Sequence, residues 1–310
     1  MRVVVALGGN ALSPEGGTGT VAEMRAAIAE TSAVLAELVE RDVTLVITHG
    51  NGPQVGRILL QQEYAADHVP PMPMDVCGAE SQGQLGYLLA QELDSELRRR
   101  RCAQRVLCFV TSVVVDGRDP AFRRPTKPVG PAYERPIAQR IAHETGHVFQ
   151  IMPDKKWRRV VASPLPRRFV EEAALREVID AGHVVIAAGG GGVPVVEVGD
   201  TIRGVEAVVD KDRSAALLAR LIRADVLLIL TAVERVQIKF GTPAAQEVAR
   251  LTVSEARRLL DSGEFPEGSM GPKIEACCEF IVGGGQRAVI ASLHQAADAV
   301  FGGAGTTITA

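Results

Sequence analysis

Runs of consecutive apolar residues alternate along the chain with stretches that are apolar at every third or fourth position. The runs are short and rich in valine, leucine and isoleucine, which is typical of strands buried on both faces of a parallel sheet. The periodic stretches indicate helices with one buried face. Strands are predicted at residues 2–7, 43–48, 106–115, 183–188, 225–230, 288–291 and 306–309, and helices at residues 21–40, 53–66, 75–100, 170–181, 254–262 and 274–283.

This alternation predicts an α/β fold, a three-layer αβα sandwich with a mainly parallel central sheet. A hairpin is predicted at residues 193–202. One segment breaks the pattern, because residues 116–166 are rich in proline and arginine, with four prolines between residues 119 and 133. Prolines at that density exclude a regular helix between residues 119 and 133. We therefore expect an excursion from the sheet, anchored by Trp157, the one tryptophan of the chain.

Composition and charge narrow the function classes. The 310 residues are 46% hydrophobic, which suits one large domain or two coupled lobes with an ample core. A net charge of −3 provides no field for nucleic acid, and no apolar run reaches the length of a membrane span. The five cysteines form no CxxC pair, and the N-terminus enters a strand directly. These features favour a cytoplasmic protein with reduced thiols and without a signal peptide.

Glycine-rich turns follow three of the predicted strands. The turns are Gly8-Gly9-Asn10, Gly50-Asn51-Gly52 and residues 189–192, which include Gly190 and Gly191. Open α/β sheets bind ligands at the carboxyl ends of their strands, where backbone N–H groups of turns and helix starts can hold anions. One such turn is weak support, but several of the same polarity are stronger. His49, beside the second turn, is either catalytic or a buried, hydrogen-bonded histidine.

The stretch at residues 204–218 contains the central group of candidate phosphate-binding residues. A β-branched run at residues 205–209 predicts a strand, and a helical pattern follows Asp210-Lys211-Asp212. A cation where a strand becomes a helix can hold phosphate oxygens, and an adjacent carboxylate can orient it. The plainer alternative is an aspartate cap beside a solvated lysine.

Lysine is scarce in this chain, with six lysines against 28 arginines. A lysine framed by glycine or proline is therefore a better candidate for a compact point charge than an arginine would be. This singles out Lys127, Lys211 and Lys273, although Lys127 has the alternative of being an exposed loop lysine. Together with the glycine turns, these lysines indicate phosphoryl transfer, which needs charge stabilisation and alignment more than covalent chemistry. The Walker pattern is absent, as is GxGxxG after the first strand.

Eight segments, in order and spanning essentially the whole chain, resemble the carbamate kinases of the amino-acid kinase superfamily. They are VVVALGGNAL, THGNGPQVG, DPAFRRPTKPVGP, AAGGGGVPVV, GVEAVVDKD, ILTAVERV, FGTP and GSMGPKIEA. The resemblance implies reversible phosphoryl transfer between ATP and carbamate, in the ATP-forming direction, with Mg²⁺ held mainly through the nucleotide phosphates. It implies a carbamate-binding and dimerisation lobe at residues 1–183, with a protruding subdomain at about 116–166, and a nucleotide-binding lobe at residues 184–310.

The resemblance also implies a role for each matching residue. Those implied as catalytic are Lys127, Lys211, Asp212 and Lys273. Those implied to bind carbamate are Gly8, Gly9, Asn10, Gly50, Asn51, Gly52, Gly190 and Gly191. Those implied to bind the nucleotide are Lys211, Thr231, Ala232, Val236, Met270 and Lys273. A homodimer is implied as well, with the helices around residues 58–60 and 85–93 as its expected surface.

Ala6 separates this chain from other members of the superfamily. Acetylglutamate and glutamate kinases carry a lysine at that position, two residues before the glycine pair, so the missing charge is expected from Lys127. Glu234 and Arg235 depart from the family pattern, as do Lys155 and Lys156. Two alternatives stay open: another kinase of the superfamily acting on a small carboxylate or phosphonate, and a non-catalytic ligand-binding homologue.

Overall fold

The computed structural model describes residues 1–14, 16–265 and 270–310, and of Asn10 only the backbone. Its strands, numbered along the chain, are β1 (Arg2–Leu7), β2 (Thr44–His49), β3 (Val106–Cys108), β4 (Ser112–Val115), β5 (Lys127–Tyr133), β6 (Phe149–Ile151), β7 (Trp157–Val161), β8 (Pro166–Phe169), β9 (Val184–Ile186), β10 (Val193–Val198), β11 (Thr201–Gly204), β12 (Val226–Thr231), β13 (Val236–Ile238), β14 (Gln246–Val248), β15 (Arg250–Thr252), β16 (Arg287–Ser292) and β17 (Thr306–Thr309). Its α-helices are α1 (Val21–Glu40), α2 (Gly52–Ala65), α3 (Met74–Arg99), α4 (Arg135–Thr145), α5 (Glu172–Asp180), α6 (Lys211–Leu221), α7 (Val253–Asp261), α8 (Met270–Val282) and α9 (Ala296–Phe301).

The central sheet has eight strands in the order β15-β17-β16-β12-β1-β2-β9-β3. The six strands from β16 to β3 are parallel, whereas β17 runs antiparallel to β16 and pairs in parallel with β15. Both faces of the sheet are buried, and β1 shows how. Val4 and Ala6 face a core formed with α5 to α8, while Val3, Val5 and Leu7 face a core formed with α1, α3 and α9. The predicted three-layer sandwich is confirmed.

The excursion, residues 116–166, forms the three-stranded antiparallel sheet β5-β7-β6 with α4 against it. Val129 and Val161 of the excursion pack into a cluster with residues of α2 and α3, including Val55 and Cys77. Trp157 begins β7, where it is opposite Tyr133 of β5 and is half-buried. The excursion therefore packs against α2 and α3, and α2 begins at the second glycine turn.

Two predicted strands differ from the structure. Residues 106–115 form two strands rather than one, because β3 joins the central sheet and β4 joins a second sheet, β11-β10-β4-β8. Residues 205–209 form no strand, and the single ladder contact there is the bridge of Ala207 with Ala162 of the excursion. The run is apolar because it is buried: Val209 is 1% exposed in the core, and Val208 packs against the excursion.

Helix α4 and the β13–β14 hairpin are not in the predicted set. Helix α4 buries one residue, Ala138, so it has almost no apolar stripe. Its ends nevertheless carry recognisable residues, Pro136 in the first turn and Gly146 in the left-handed conformation after the last. Among the described helices, none has the length and apolar character needed to cross a membrane.

Candidate active site

The glycine turns meet at the carboxyl ends of adjacent strands. The Gly8 N–H donates to the Leu230 carbonyl at the end of β12, and the Gly50 N–H donates to the Leu7 carbonyl at the end of β1, both at 3.1 Å. A Cβ on Gly8 would lie 2.9 Å from the Leu230 oxygen, closer than packed atoms approach. Glycine is required there because the two strand ends are in direct contact.

The third turn is held by buried hydroxyl groups. Ala188 has a positive φ of 54°, which is unfavourable for a residue with a Cβ. The Thr111 hydroxyl accepts from the Ala188 N–H at 3.1 Å, and the Thr48 hydroxyl donates to the Ala188 carbonyl at 2.8 Å. Gln82 fixes Thr111 in turn by pairing with both its backbone groups. This network holds the strained residue and the glycines after it in place.

A cavity of about 280 Å³ opens above these turns. Of the residues implied as catalytic or carbamate-binding, those that line it are Gly9, Gly50, Asn51, Gly52, Lys127, Gly190, Lys211, Asp212 and Lys273. Gly8 and Gly191 do not line it. Gly191 packs beneath it, where a Cβ would lie 2.2 Å from the Val209 carbonyl oxygen. The prediction for the Asn10 side chain lies outside what the structure describes.

Asp212 connects two of the predicted lysines. Its Oδ1 is 2.5 Å from the Lys211 Nζ, and its Oδ2 is 3.1 Å from the Lys273 Nζ. The Asp212 side chain is 4% exposed and each lysine side chain 16%. A buried carboxylate between two ammonium groups fixes both and leaves one net positive charge. Residues 61 positions apart in sequence, Asp212 and Lys273, are thereby joined across the cavity.

Lys127 reaches the same cavity from the excursion. Its Nζ lies 2.9 Å from Oδ2 of Asp210, while Oδ1 of Asp210 caps α6 by accepting from the backbone N–H groups of Asp212 and Arg213. Burial alone would raise the pKa of Asp210, but Lys127 and Lys211 lower it overall, so the carboxylate is ionised. Asp210 was read from the sequence as a possible cap, and its contact with Lys127 has no sequence pattern that would reveal it.

Helix starts add to the positive potential of the cavity. Helices α2 and α6 begin at its wall, and the first turn of α8 contributes Lys273. Helix N-termini carry free N–H groups and a partial positive charge that favour anions. Among the described lining residues, three lysines face two aspartates, so the side chains also leave an excess positive charge. The cavity is suited to a small anion bearing phosphate.

His49 proves to be the buried alternative. It is 1% exposed, its Nδ1 lies 3.0 Å from the Gly50 carbonyl, and it does not line the cavity. Burial lowers the pKa of His49, and the charge of Lys211 lowers it further. The ring is therefore neutral at pH 7. It supports the third turn, since a Cβ on Gly189 would lie 2.6 Å from it.

A second cavity, of about 240 Å³, shares Lys273 with the first. Its lining residues are Thr231, Val233, Arg235, Gln237, Phe240, Phe265, Met270 and Lys273. Thr231 and Met270 were predicted for the nucleotide, but Ala232 and Val236 do not line this cavity. Val236 is fully buried in the core, and its N–H donates to the Thr306 hydroxyl. Its neighbour in β13, Gln237, is the residue that lines the cavity instead.

The side chains around the first cavity determine what kind of metal site it can offer. Among the described residues, no group of three or more His, Cys, Asp or Glu side chains could hold a metal ion. The lining carboxylates are those of Asp210 and Asp212, and each is paired with lysine. Mg²⁺ commonly takes one or two carboxylates together with substrate phosphate oxygens. The site therefore fits a Mg²⁺ ion held mainly by the phosphates of a nucleotide.

The known proteins that this chain is similar to agree on one family. The model of the amino acid kinase family matches residues 1–292. A carbamate kinase from Pyrococcus horikoshii is 46% identical over 310 residues, covering 99% of either chain. One from Halobacterium salinarum is 47% identical over 305 residues, covering 98% of this chain and 97% of that one.

Solved structures agree with the sequence relatives. A carbamate kinase from Giardia lamblia bound to AMP-PNP superposes with a TM-score of 0.94 at 38% identity, covering 99% of this chain and 98% of that one. The chain belongs to the amino acid kinase family and, within it, to the carbamate kinases.

Proposed function

We propose that the protein catalyses reversible phosphoryl transfer between ATP and carbamate, giving ADP and carbamoyl phosphate. The observation that carries this is the Lys211–Asp212–Lys273 cluster, placed where the two cavities meet. The first cavity accommodates the small acid, and the second accommodates the nucleotide. The relatives named carbamate kinases, and the relative bound to AMP-PNP, support this assignment of the two cavities.

The chemistry explains why lysines rather than a base dominate the site. The attacking oxygen of carbamate is already anionic, so no proton has to be removed from it. As the new P–O bond forms to carbamate, the bond to the ADP oxygen breaks, and negative charge spreads over the phosphoryl oxygens and the leaving group. Lys211 and Lys273 stabilise that charge, and Asp212 keeps both ammonium groups oriented before the reaction begins.

Lys127 supplies the third charge. β1 has Ala6 where a fixed lysine stands in related kinases, so the cation comes from the excursion instead. The Lys127–Asp210 contact at 2.9 Å joins the excursion to the wall of the first cavity. A charge delivered in this way orients carbamate and excludes water in one step.

Mg²⁺ enters this proposal with the nucleotide. When bound, it would neutralise negative charge on the phosphates. Asp210 and Asp212 contribute to the field at that ion while remaining paired with lysines. We also assign carbamate binding to residues 1–183, nucleotide binding to residues 184–310, and the ATP-forming direction to the reaction.

The decisive experiment is a coupled assay of ATP formation from ADP, Mg²⁺ and carbamoyl phosphate. We expect turnover that depends on all three and that is at least ~10²-fold slower in the Lys211→Ala variant. Substrates for related kinases, such as acetylglutamyl phosphate, form the control and are expected to give none. Activity with one of those and none with carbamoyl phosphate would overturn the proposal.

A homodimer is part of the proposal, but its expected surface needs correction. Leu85, Leu89 and Leu93 are fully buried in the core of their own chain and cannot contact a partner. The neighbouring apolar side chains that are exposed include Tyr64 at 81% and Tyr87 at 58%, on α2 and α3. Light scattering at micromolar concentration should give twice the 32.9 kDa chain mass. The mass of one chain would contradict a dimer.

A further inference from the structure

Ser81 lies on α3, outside every segment that the sequence singled out, and touches the first cavity only through another residue. It is completely buried. Its Oγ makes two hydrogen bonds, one with the Gly78 carbonyl at 2.7 Å and one with the carboxamide of Asn51 at 2.7 Å. Asn51 lines the cavity, whereas Ser81 does not.

The single hydroxyl proton of Ser81 determines the orientation of the Asn51 carboxamide. A carbonyl oxygen can only accept, so the single hydroxyl proton of Ser81 goes to Gly78. The Ser81 oxygen can then only accept from Asn51, and the Asn51 group facing it must be the NH₂. A carboxamide turned the other way would place two oxygens 2.7 Å apart with no proton between them.

The other end of the Asn51 carboxamide is thereby set as an oxygen. Among the described residues, no N–H or O–H donates to Asn51 Oδ1. The plane of the carboxamide lies against Gly190, where a Cβ would come within 2.5 Å of all three of its outer atoms. Gly190 is held by the buried network that fixes Ala188. Within the described part of the chain, Asn51 thus presents one unpartnered acceptor in a cavity whose other polar groups are mostly N–H donors and lysines.

We propose that Ser81 is a positioning residue for substrate selectivity, because it forces Asn51 to offer an acceptor to the group beside the carboxylate of the substrate. This inference rests on the proposed function. Carbamate carries an NH₂ beside its carboxylate, and that N–H donates to Asn51 Oδ1, whereas the methyl group of acetate cannot. Sites built around a hydrogen bond discriminate strongly against isosteres that lack it, since the protein group is left unpaired.

The test compares two phosphoryl donors of nearly equal size, carbamoyl phosphate and acetyl phosphate, in ATP formation from ADP. In Ser81→Ala, we expect kcat/KM for carbamoyl phosphate to fall about tenfold, the scale of one hydrogen bond. For acetyl phosphate it should stay within about twofold. The matched control is Ser95→Ala, on the same helix, whose hydroxyl donates to the Gln91 carbonyl at 2.7 Å far from the cavity. It should leave both values unchanged.

A double-mutant cycle separates positioning from a general packing effect. Asn51→Ala should reduce the preference for carbamoyl phosphate on its own, and adding Ser81→Ala should reduce it no further. ADP affinity, measured by titration calorimetry, should be the same in all variants. Equal losses with both donors, or additive effects on selectivity, would overturn the role of Ser81. Absence of ATP formation from carbamoyl phosphate by the unmodified protein would instead overturn the proposed function.

Discussion

The two cavities that meet at Lys273 are built in opposite ways. The first is walled by backbone turns and by ion pairs, one of them buried at Asp212, whose partners come from distant parts of the chain. The second is walled largely by apolar side chains, among them Phe240, which is 67% exposed. Of its two charged lining residues, Lys273 is shared with the first cavity, and Arg235 has a carboxylate partner, Glu247, only at 4.0 Å. The first cavity is charged, and the second is largely apolar.

The difference indicates that the first cavity stabilises the transition state and that the second mainly binds the substrate. Fixed charges in a buried site act on the transition state, because they need no reorganisation when charge develops. Exposed apolar contacts hold ground state and transition state alike and so affect KM rather than kcat. This explains how the chain tolerates an unusual residue such as Arg235 at the second cavity. It also orders the expected effects of substitutions.

The largest effect is expected for Asp212→Asn. Two buried lysines would lose their shared carboxylate, and breaking a buried ion pair from one side costs about 3–5 kcal/mol. We expect kcat to fall about 10³-fold and the melting temperature to drop. Steady-state kinetics and thermal unfolding measure both. Asp225→Asn is the control, since Asp225 accepts from the Arg2 N–H at the opposite end of the sheet. Wild-type kcat in Asp212→Asn would remove this carboxylate from the site.

Lys211→Ala and Lys273→Ala come next. Each removes one positive charge but leaves Asp212 paired with the other lysine. We expect kcat to fall at least ~10²-fold in each, the scale of one preorganised charge contact. Lys273→Ala should also raise the KM for ADP, because Lys273 lines both cavities. Near-normal turnover in either variant would exclude that lysine from the chemistry.

Lys127→Ala is expected to slow turnover about 10²-fold or more while ADP affinity changes little. The contact forms across the first cavity and not the second, so it acts on kcat. Lys127→Arg should not restore the rate fully, because a planar guanidinium differs in shape from an ammonium group. Kinetics in the ATP-forming direction and ADP calorimetry give both readouts. Lys156→Ala, an exposed lysine of the same excursion, is the control. Equal loss of rate and ADP affinity would contradict this role.

The smallest effect is expected for Arg235→Ala. Arg235 is 40% exposed, and its contact with Glu247 is long, so solvent screens most of its charge. The KM for ADP should change by no more than about threefold, with kcat unaffected. Kinetics at varied ADP concentration decide the matter. A tenfold loss of kcat would show that the second cavity is as rigidly coupled to the chemistry as the first.

Much of this architecture is accessible from the sequence, and the reason is physical. Buried parallel strands are continuously apolar, so β1, β2 and β12 stand out, and the glycine turns after them are visible as turns. Lys211 and Lys273 are marked by their place at helix starts. Lys127 is marked only by the scarcity of lysine and by its place beside Pro128, and the family resemblance then connects it to the site.

Other features have no local pattern. Thr48, Thr111 and Ser81 are ordinary hydroxyl residues whose importance comes from partners 30 or more positions away. Residues 205–209 look like a strand because burial, not pairing, selects apolar side chains there. Val236 was expected at the nucleotide because the segment matches the family. A strand presents alternate residues to opposite faces, and a register of one position decides which residues reach the cavity.

The two carboxylate oxygens of Asp210 link the excursion to the start of α6. Its Oδ1 holds the backbone N–H groups of Asp212 and Arg213, while its Oδ2 holds Lys127. The carboxylate that holds the excursion through Lys127 therefore also shields two amides at the head of α6. We expect Lys127→Ala, which removes one partner of that carboxylate, to raise deuterium uptake at Asp212 and Arg213 relative to the unmodified protein. Exchange at those two positions then reports on a contact made by a residue more than 80 positions away.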